Sequence, residues 1–287
     1  MYASRTRVAS ERTTRVVSRA LSPDAVQWTL RIGAFLCFVG HGAFGIMTKR
    51  AWLPYFAVAH VDPETAYRLM PIIGALDIAM GFLVLLTPRR AVFYWMTLWA
   101  IWTAVLRPLA GESGWEAIER AGNYGVPLAM IVLLGPWRGI RALAEPATFR
   151  PLTRELLRKL ELVLIGVVAM LLVGHGALGL ENKPGLIANY ASLVPQDVAA
   201  RVTPLIGGFE IALALVLVRW PSVPLAAWIA LWKLGSESLF LAAGQPFWEV
   251  VERGGSYAAP VALAIVVVLA GRERDSRAHG SVAIGGE

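Results

Sequence analysis

The sequence predicts an all-α integral membrane protein, with eight transmembrane helices arranged as two parallel four-helix repeats. Three observations lead there. Of the 287 residues, 56% are hydrophobic and 16% charged, a balance that soluble domains seldom show. The apolar residues fall into runs that approach the roughly 20 needed to cross a hydrocarbon core of about 30 Å. The chain also repeats itself. "PIIGALDIAMG" at 71–81 aligns with "PLIGGFEIALA" at 204–214, and "WEAIERAGNYGVP" at 115–127 with "WEVVERGGSYAAP" at 248–260, each 133 residues further on. "FVGHGAFG" at 38–45 returns as "LVGHGALG" at 172–179 with an offset of 134. The one-residue difference falls in a loop, as a tandem duplication requires.

Residues 1–24 are rich in Arg, Ser and Thr. They read as a disordered cytoplasmic arm, because a full span follows instead of a short hydrophobic region with a cleavage site. The first repeat occupies 25–135, with helices expected over 28–47, 72–86, 91–109 and 124–134. The second occupies 161–270, with helices over 162–180, 205–218, 223–243 and 257–270. Prolines at 88, 136, 221 and 224 separate apolar runs, and the second and fourth helices of each repeat read short for a full span. Between the repeats, 136–160 is a basic cytoplasmic linker, and 271–287 is a polar tail read as disordered.

Four crossings return the chain to its starting side, so both repeats share one orientation about a pseudo-two-fold axis along the membrane normal. If the amino end is inside, seventeen Lys and Arg lie on that side and eight on the other. The positive-inside rule then puts both termini in the cytoplasm. The net charge of +7 is gathered beside the spans with no basic and aromatic motif, so the lipid bilayer is the expected partner and nucleic acid is not. The single cysteine, Cys37, excludes a disulfide framework or a cysteine metal cluster.

Topology gives depth. His41 lies before the outer end of the first helix and Asp77 after the outer start of the second. At 1.5 Å per residue, both sit about 10 Å below the outer surface. His175 and Glu210 repeat this arrangement. Ionisable groups in a span face a bundle interior or a watery cavity. The histidines leave three readings open: a packed, hydrogen-bonded helix residue, a proton relay or substrate contact, or haem ligation with His41 and His175 paired across the axis. The flanking glycines let a helix or a flat ligand approach closely.

Glu116, Arg120 and Tyr124 stand at i, i+4 and i+8, as do Glu249, Arg253 and Tyr257, so each set is expected to share a helix face. Glu119 and Glu252 are expected on another face with the tryptophan. Either an outer ion pair or a binding role accounts for the pattern. The repeats are not equivalent. Ala100, Ala104 and Arg107 of the first correspond to Lys233, Glu237 and Phe240 of the second, and Lys233 and Glu237 have the spacing of a self-neutralising pair. One half is therefore expected to hold a site that the other supports. No phosphate loop, nucleophile elbow or zinc-binding helix pattern is present, so no catalytic residue or metal site is assigned.

Four apolar helices per unit, with "GHGAFG" in the first and "WEAIERAGNYG" leading into the last, resemble the DoxX-like superfamily of small bacterial membrane proteins. The resemblance covers each half, and the duplication departs from it, since members usually have one unit. Some members are linked to quinone-dependent sulfur oxidation, which implies a respiratory role with a redox partner protein. Three functions follow: binding or transport of a small polar or amphipathic solute through a polar site in the outer third of the bilayer, a quinone- or haem-linked oxidoreductase subunit, or a structural or assembly protein. The cofactor is left open between haem, quinone and none.

Overall fold

The computed structural model describes residues 22–137 and 139–284, and among them every regular element is a helix. The long helices are α1 (Pro23–Ile46), α2 (Pro63–Leu86), α3 (Arg90–Leu109), α4 (Ala121–Leu134), α5 (Arg154–Leu180), α6 (Gln196–Arg219), α7 (Val223–Ala242) and α8 (Gly254–Ile284). Among the described residues, α1, α2, α5, α6, α7 and α8 are long and apolar enough to cross a membrane. Eight were expected. α4 has only 14 residues, and α3 carries Tyr94, Trp95, Trp99 and Trp102 between Arg90 and Arg107, which lowers its apolar content.

Helix starts follow local chemistry. Asp62 accepts a hydrogen bond from the Thr65 amide at 3.0 Å, with Pro63 in the first turn of α2. Thr153 accepts from the Leu156 amide at 3.3 Å at the start of α5. Such caps satisfy amides that have no partner within the helix. At the same end of the molecule as these α2 residues, α1 and α5 close on left-handed residues, Thr48 (φ 52°) and Asn182 (φ 54°). At the opposite end, arginines bind helix C-terminal carbonyls. Arg90 reaches Leu134 and Gly135 oxygens, each at 3.0 Å, and Arg31 reaches the Val84 oxygen at 2.9 Å. A cation there meets the negative end of the helix dipole.

Several boundaries differ from the sequence reading. Helices expected to start at 72 and 205 begin at Pro63 and Gln196, with Pro71 and Pro204 inside them. Neither helix is short. The polar turns upstream, carrying Glu64 and Arg68 or Asp197 and Arg201, hide the helical continuation from an apolar count, and interior proline is tolerated in such helices. The tail expected to be disordered from 271 continues α8 to Ile284, and the end of the linker expected over 136–160 is already α5. The arm expected to be disordered lies outside the described residues as far as 21, and its last residues begin α1.

The two halves are not separate bundles. α1, α4, α5 and α8 pack in the centre, with α2 lying on α1, α6 on α5, α3 on α4 and α7 on α8. One hydrophobic core joins Leu30, Phe93 and Met130 to Leu164, Ile229 and Val266. The α1–α2 approach is close because of glycine: a Cβ on Gly42 would stand 2.6 Å from the Gly74 oxygen, and one on Gly179 would stand 3.1 Å from the Gly207 Cα on the α5–α6 side. By contrast, α2 barely touches α3, and α6 barely touches α7. Those two seams hold the pockets described below.

Candidate functional site

The polar residues gather at the end of the molecule where α1 joins α2, α3 joins α4, α5 joins α6 and α7 joins α8. His41 Nδ1 lies 2.8 Å from Asp77 Oδ2, and its ring stacks on Trp52 with centroids 4.5 Å apart. An ionised carboxylate only accepts, so Asp77 in that state holds the imidazole with its Nδ1 hydrogen inward. The His41 side chain is 27% exposed and Asp77 1%. Asp77 is thus sealed behind a histidine that reaches open space.

That space is a cavity of about 220 Å³ in the α2–α3 seam. Leu69, Ile73, Trp99, Trp102 and Leu106 supply its apolar walls, with Trp52, Tyr55 and Phe56 from the segment between α1 and α2. His41, Arg107, Arg120, Asn123 and Glu252 supply polar groups. Glu252 belongs to the second half, so both halves contribute.

Around the cavity, Arg107 donates to Glu112 at 3.1 Å and lies 3.6 Å from Glu116. Arg120 donates to Glu116 at 2.9 Å and to Glu119 at 2.7 Å. The Tyr55 hydroxyl donates to Glu112. Burial pushes the Tyr55 phenol up. Burial also acts to raise Glu112, yet the Tyr55 hydroxyl and the Arg107 guanidinium hold that carboxyl below its ordinary range.

The second half fills the same positions differently. His175 bonds to Glu210, and the Trp232 indole donates to Glu210 Oε1 at 2.8 Å. Lys233 lies 2.8 Å from Glu237, which lies 2.7 Å from Arg253 Nε. These two contacts are off the hydrogen-bond line and act as ion pairs. Arg253 donates to Glu249 at 2.9 Å and to Glu252 at 3.2 Å. Lys233, Glu210 and Glu237 are essentially sealed from solvent. The seam keeps a groove of about 450 Å³, lined by residues such as Ile206, Trp228, Trp232 and Leu239, with no ionisable group along it except the Tyr190 phenol.

The halves cross-link reciprocally. Lys49 pairs with Glu249 at 2.6 Å, and Lys183 pairs with Glu116. A Cβ on Gly40 would stand 2.6 Å from the Glu252 Cα, and one on Gly174 the same distance from the Glu119 Cα. The glycine before each histidine therefore admits the backbone of the other half, and the glycine after it admits the neighbouring helix.

Some expectations change. Glu119 and Glu252 do not lie on a separate face but bind the same arginines as Glu116 and Glu249. Tyr124 and Tyr257 do not join that cluster. Their hydroxyls donate to the backbone oxygens of Ala117 and Val250, at 3.2 and 3.1 Å. The reason is a break: Trp115–Glu119 and Trp248–Val251 are separate short helices, so the i, i+8 face is not continuous. Haem held between the histidines does not fit the residues present. His41 opens on the first-half cavity while His175 is buried, and the backbones of Gly122 and Gly255 meet where the halves join.

Trp52, Tyr55, Trp99, Glu112, Asn123, Lys49 and Lys183 are site residues that sequence reasoning missed. Lys49 and Lys183 share the 134-residue offset of the histidines, and Trp99 and Trp232 share the 133-residue offset, so the fixed offset was the available signal. Compared with protein-family models, with curated proteins and with solved structures, the chain matches none.

Proposed function

We propose that this chain binds, and in doing so passes or presents, a small amphipathic solute in the first-half cavity, while the second half acts as its internally neutralised support. On this reading the protein is a parallel tandem duplication of a DoxX-like four-helix unit with eight crossings, in a bacterial inner membrane with both termini in the cytoplasm. The site then opens in the outer third of the bilayer. The observation that carries the reading is the difference between the seams. Where the second half has Lys233 and Glu237 filling the interior, the first has Ala100 and Ala104, and its cavity joins aromatic walls to a charged rim. Apolar walls with a few convergent polar groups are the usual make-up of a small-molecule site. Six residues of the cavity lining, Leu69, Ile73, Trp99, Trp102, Thr103 and Leu106, recur at the 133-residue offset in the groove lining, which supports the duplicated architecture.

Calorimetric binding of 2-naphthol to the full chain in detergent tests this. Thr103→Trp should fill the cavity and abolish binding, and the matched Ser236→Trp should leave it. Equal binding in wild type and both variants would defeat the reading. A quinone-linked redox role is the second reading, favoured by the His41–Asp77 pair stacked on Trp52. It requires that His41→Gln with Asp77→Asn folds and loses pH-dependent quinol oxidation, because amides replace the hydrogen bond but carry no proton.

A further inference from the structure

Asp77 Oδ1 and Trp99 Nε1 are both buried and both lack a hydrogen-bond partner. Buried polar groups are almost always satisfied, and each exception calls for an explanation. Their counterparts at the 133-residue offset, Glu210 and Trp232, bond to each other at 2.8 Å. The side chain of aspartate is one methylene shorter than that of glutamate. In the second half the longer acid spans from histidine to indole, bonding His175 with one oxygen and Trp232 with the other. In the first half the shorter acid reaches His41 and leaves its second oxygen and the indole unmatched. Trp99 and His41 both line the cavity.

We infer that a ligand in the cavity reaches past the His41 side chain into a hydroxyl-specific subsite, in which its O–H donates to Asp77 Oδ1 and its oxygen accepts from Trp99 Nε1–H. This rests on the binding reading above and narrows its ligand class to alcohols and phenols, a hydroquinone among them. The chemistry selects the group. Asp77 in its ionised form has only acceptors to offer, and an indole N–H only donates. A ketone or ether oxygen satisfies the indole and leaves the carboxylate bare. An ammonium does the reverse. A hydroxyl does both, and a site built to bond a substrate hydroxyl rejects the analogue without it, because its own groups are then left unpaired. The aromatic walls, Trp52 and Trp102 among them, fit a ring carrying that hydroxyl.

The test compares 2-naphthol with 2-methoxynaphthalene, which keeps the ring and loses the donor, by calorimetry on the detergent-purified full chain. The naphthol should bind at least about tenfold tighter, as expected where a buried charged acceptor would otherwise go unpaired. Trp99→Phe removes the indole N–H, with part of the ring wall, and should weaken both ligands, since both oxygens accept from it, while the naphthol keeps the preference that its donor to Asp77 gives. Asp77→Glu should rebuild the second-half arrangement, fold as stably as wild type, and bind the naphthol no better than the ether. If naphthol and ether bind equally to wild type, the subsite falls and the cavity reading stands, a water being the group that bridges Asp77 and Trp99. If neither binds, both fall. A naphthol preference that survives Asp77→Glu, or a Trp99→Phe variant that binds both ligands as tightly as wild type, would also overturn the subsite.

Discussion

At the scale of single residues, the contrast lies in how burial of charge is resolved. Glu237 stands between two cations, Lys233 at 2.8 Å and Arg253 at 2.7 Å, with almost no exposure. Removing one member of a buried ionic network leaves the others uncompensated, which costs about 3–5 kcal/mol. Glu237→Gln should therefore lower the thermal unfolding temperature in detergent sharply, whereas Glu64→Gln, which breaks an exposed pair with Arg68, should shift it little. Unfolding temperatures that fall equally would remove the distinction between the two networks. Outside the spans, Glu112 titrates low because Tyr55 and Arg107 bond it against the opposing effect of burial. A lowered carboxyl contributes stability that is present above its ordinary range, near 4.3, and is lost as pH falls through the lowered value. Tyr55→Phe should move the infrared titration of that carboxylate upward. The Lys233–Glu237 and Glu116–Arg120 pairs were legible from i, i+4 spacing alone. The roles of Trp99 and Trp232 were not, because a tryptophan in an apolar helix looks the same whether its indole is bonded or free.

At the scale of elements, the helices meet through glycine where backbones must approach and through side chains elsewhere. Gly42→Val would force atoms into the Gly74 backbone oxygen, which cannot yield as a flexible side chain would. A loss of about 1–3 kcal/mol is expected, readable as earlier unfolding on heating. Gly208→Ala in α6 meets open space and should cause no loss. Should Gly208→Ala destabilise as much as Gly42→Val, close packing is not what these glycines serve. The same elements show where pattern reading stops. The helices read as starting at 72 and 205 begin earlier, and Pro71 and Pro204 are interior because the polar turns before them remain helical outside the apolar region. In Trp115–Glu119 the reverse happens: a continuous-looking face breaks at Arg120, which uses its guanidinium to hold both preceding acids, Glu116 and Glu119.

At the scale of the whole molecule, the halves are tied by two reciprocal lysine–glutamate pairs, Lys49 to Glu249 and Lys183 to Glu116. With Cys37 replaced by serine, Lys49→Cys with Glu249→Cys, and Lys183→Cys with Glu116→Cys, should each be joined by a short bifunctional maleimide. On the proposed orientation, a membrane-impermeant version should reach both from the side opposite the cytoplasm. Reaction of one pair only from the cytoplasm would contradict the parallel arrangement, and reaction of both from there would reverse the proposed orientation.

The class of protein, the helical content and the internal correspondence were determined by the sequence by itself, because composition, apolar runs and a fixed offset are properties of the chain read in order. Local spacing likewise determined which charges could pair within a helix. Which half holds the cavity lined by charged and polar groups was decided only by the tertiary structure. That outcome depends on the space between α2 and α3, which barely meet, and on one methylene of difference between Asp77 and Glu210 seen against indoles on another helix. The reciprocal seating of each half's "WE" segment against the other half's glycine was likewise a tertiary result, since it joins residues far apart in the chain, Gly40 with Glu252 and Gly174 with Glu119. Distances between elements are set by how all the side chains fill the space at once, and no single stretch of sequence carries that sum.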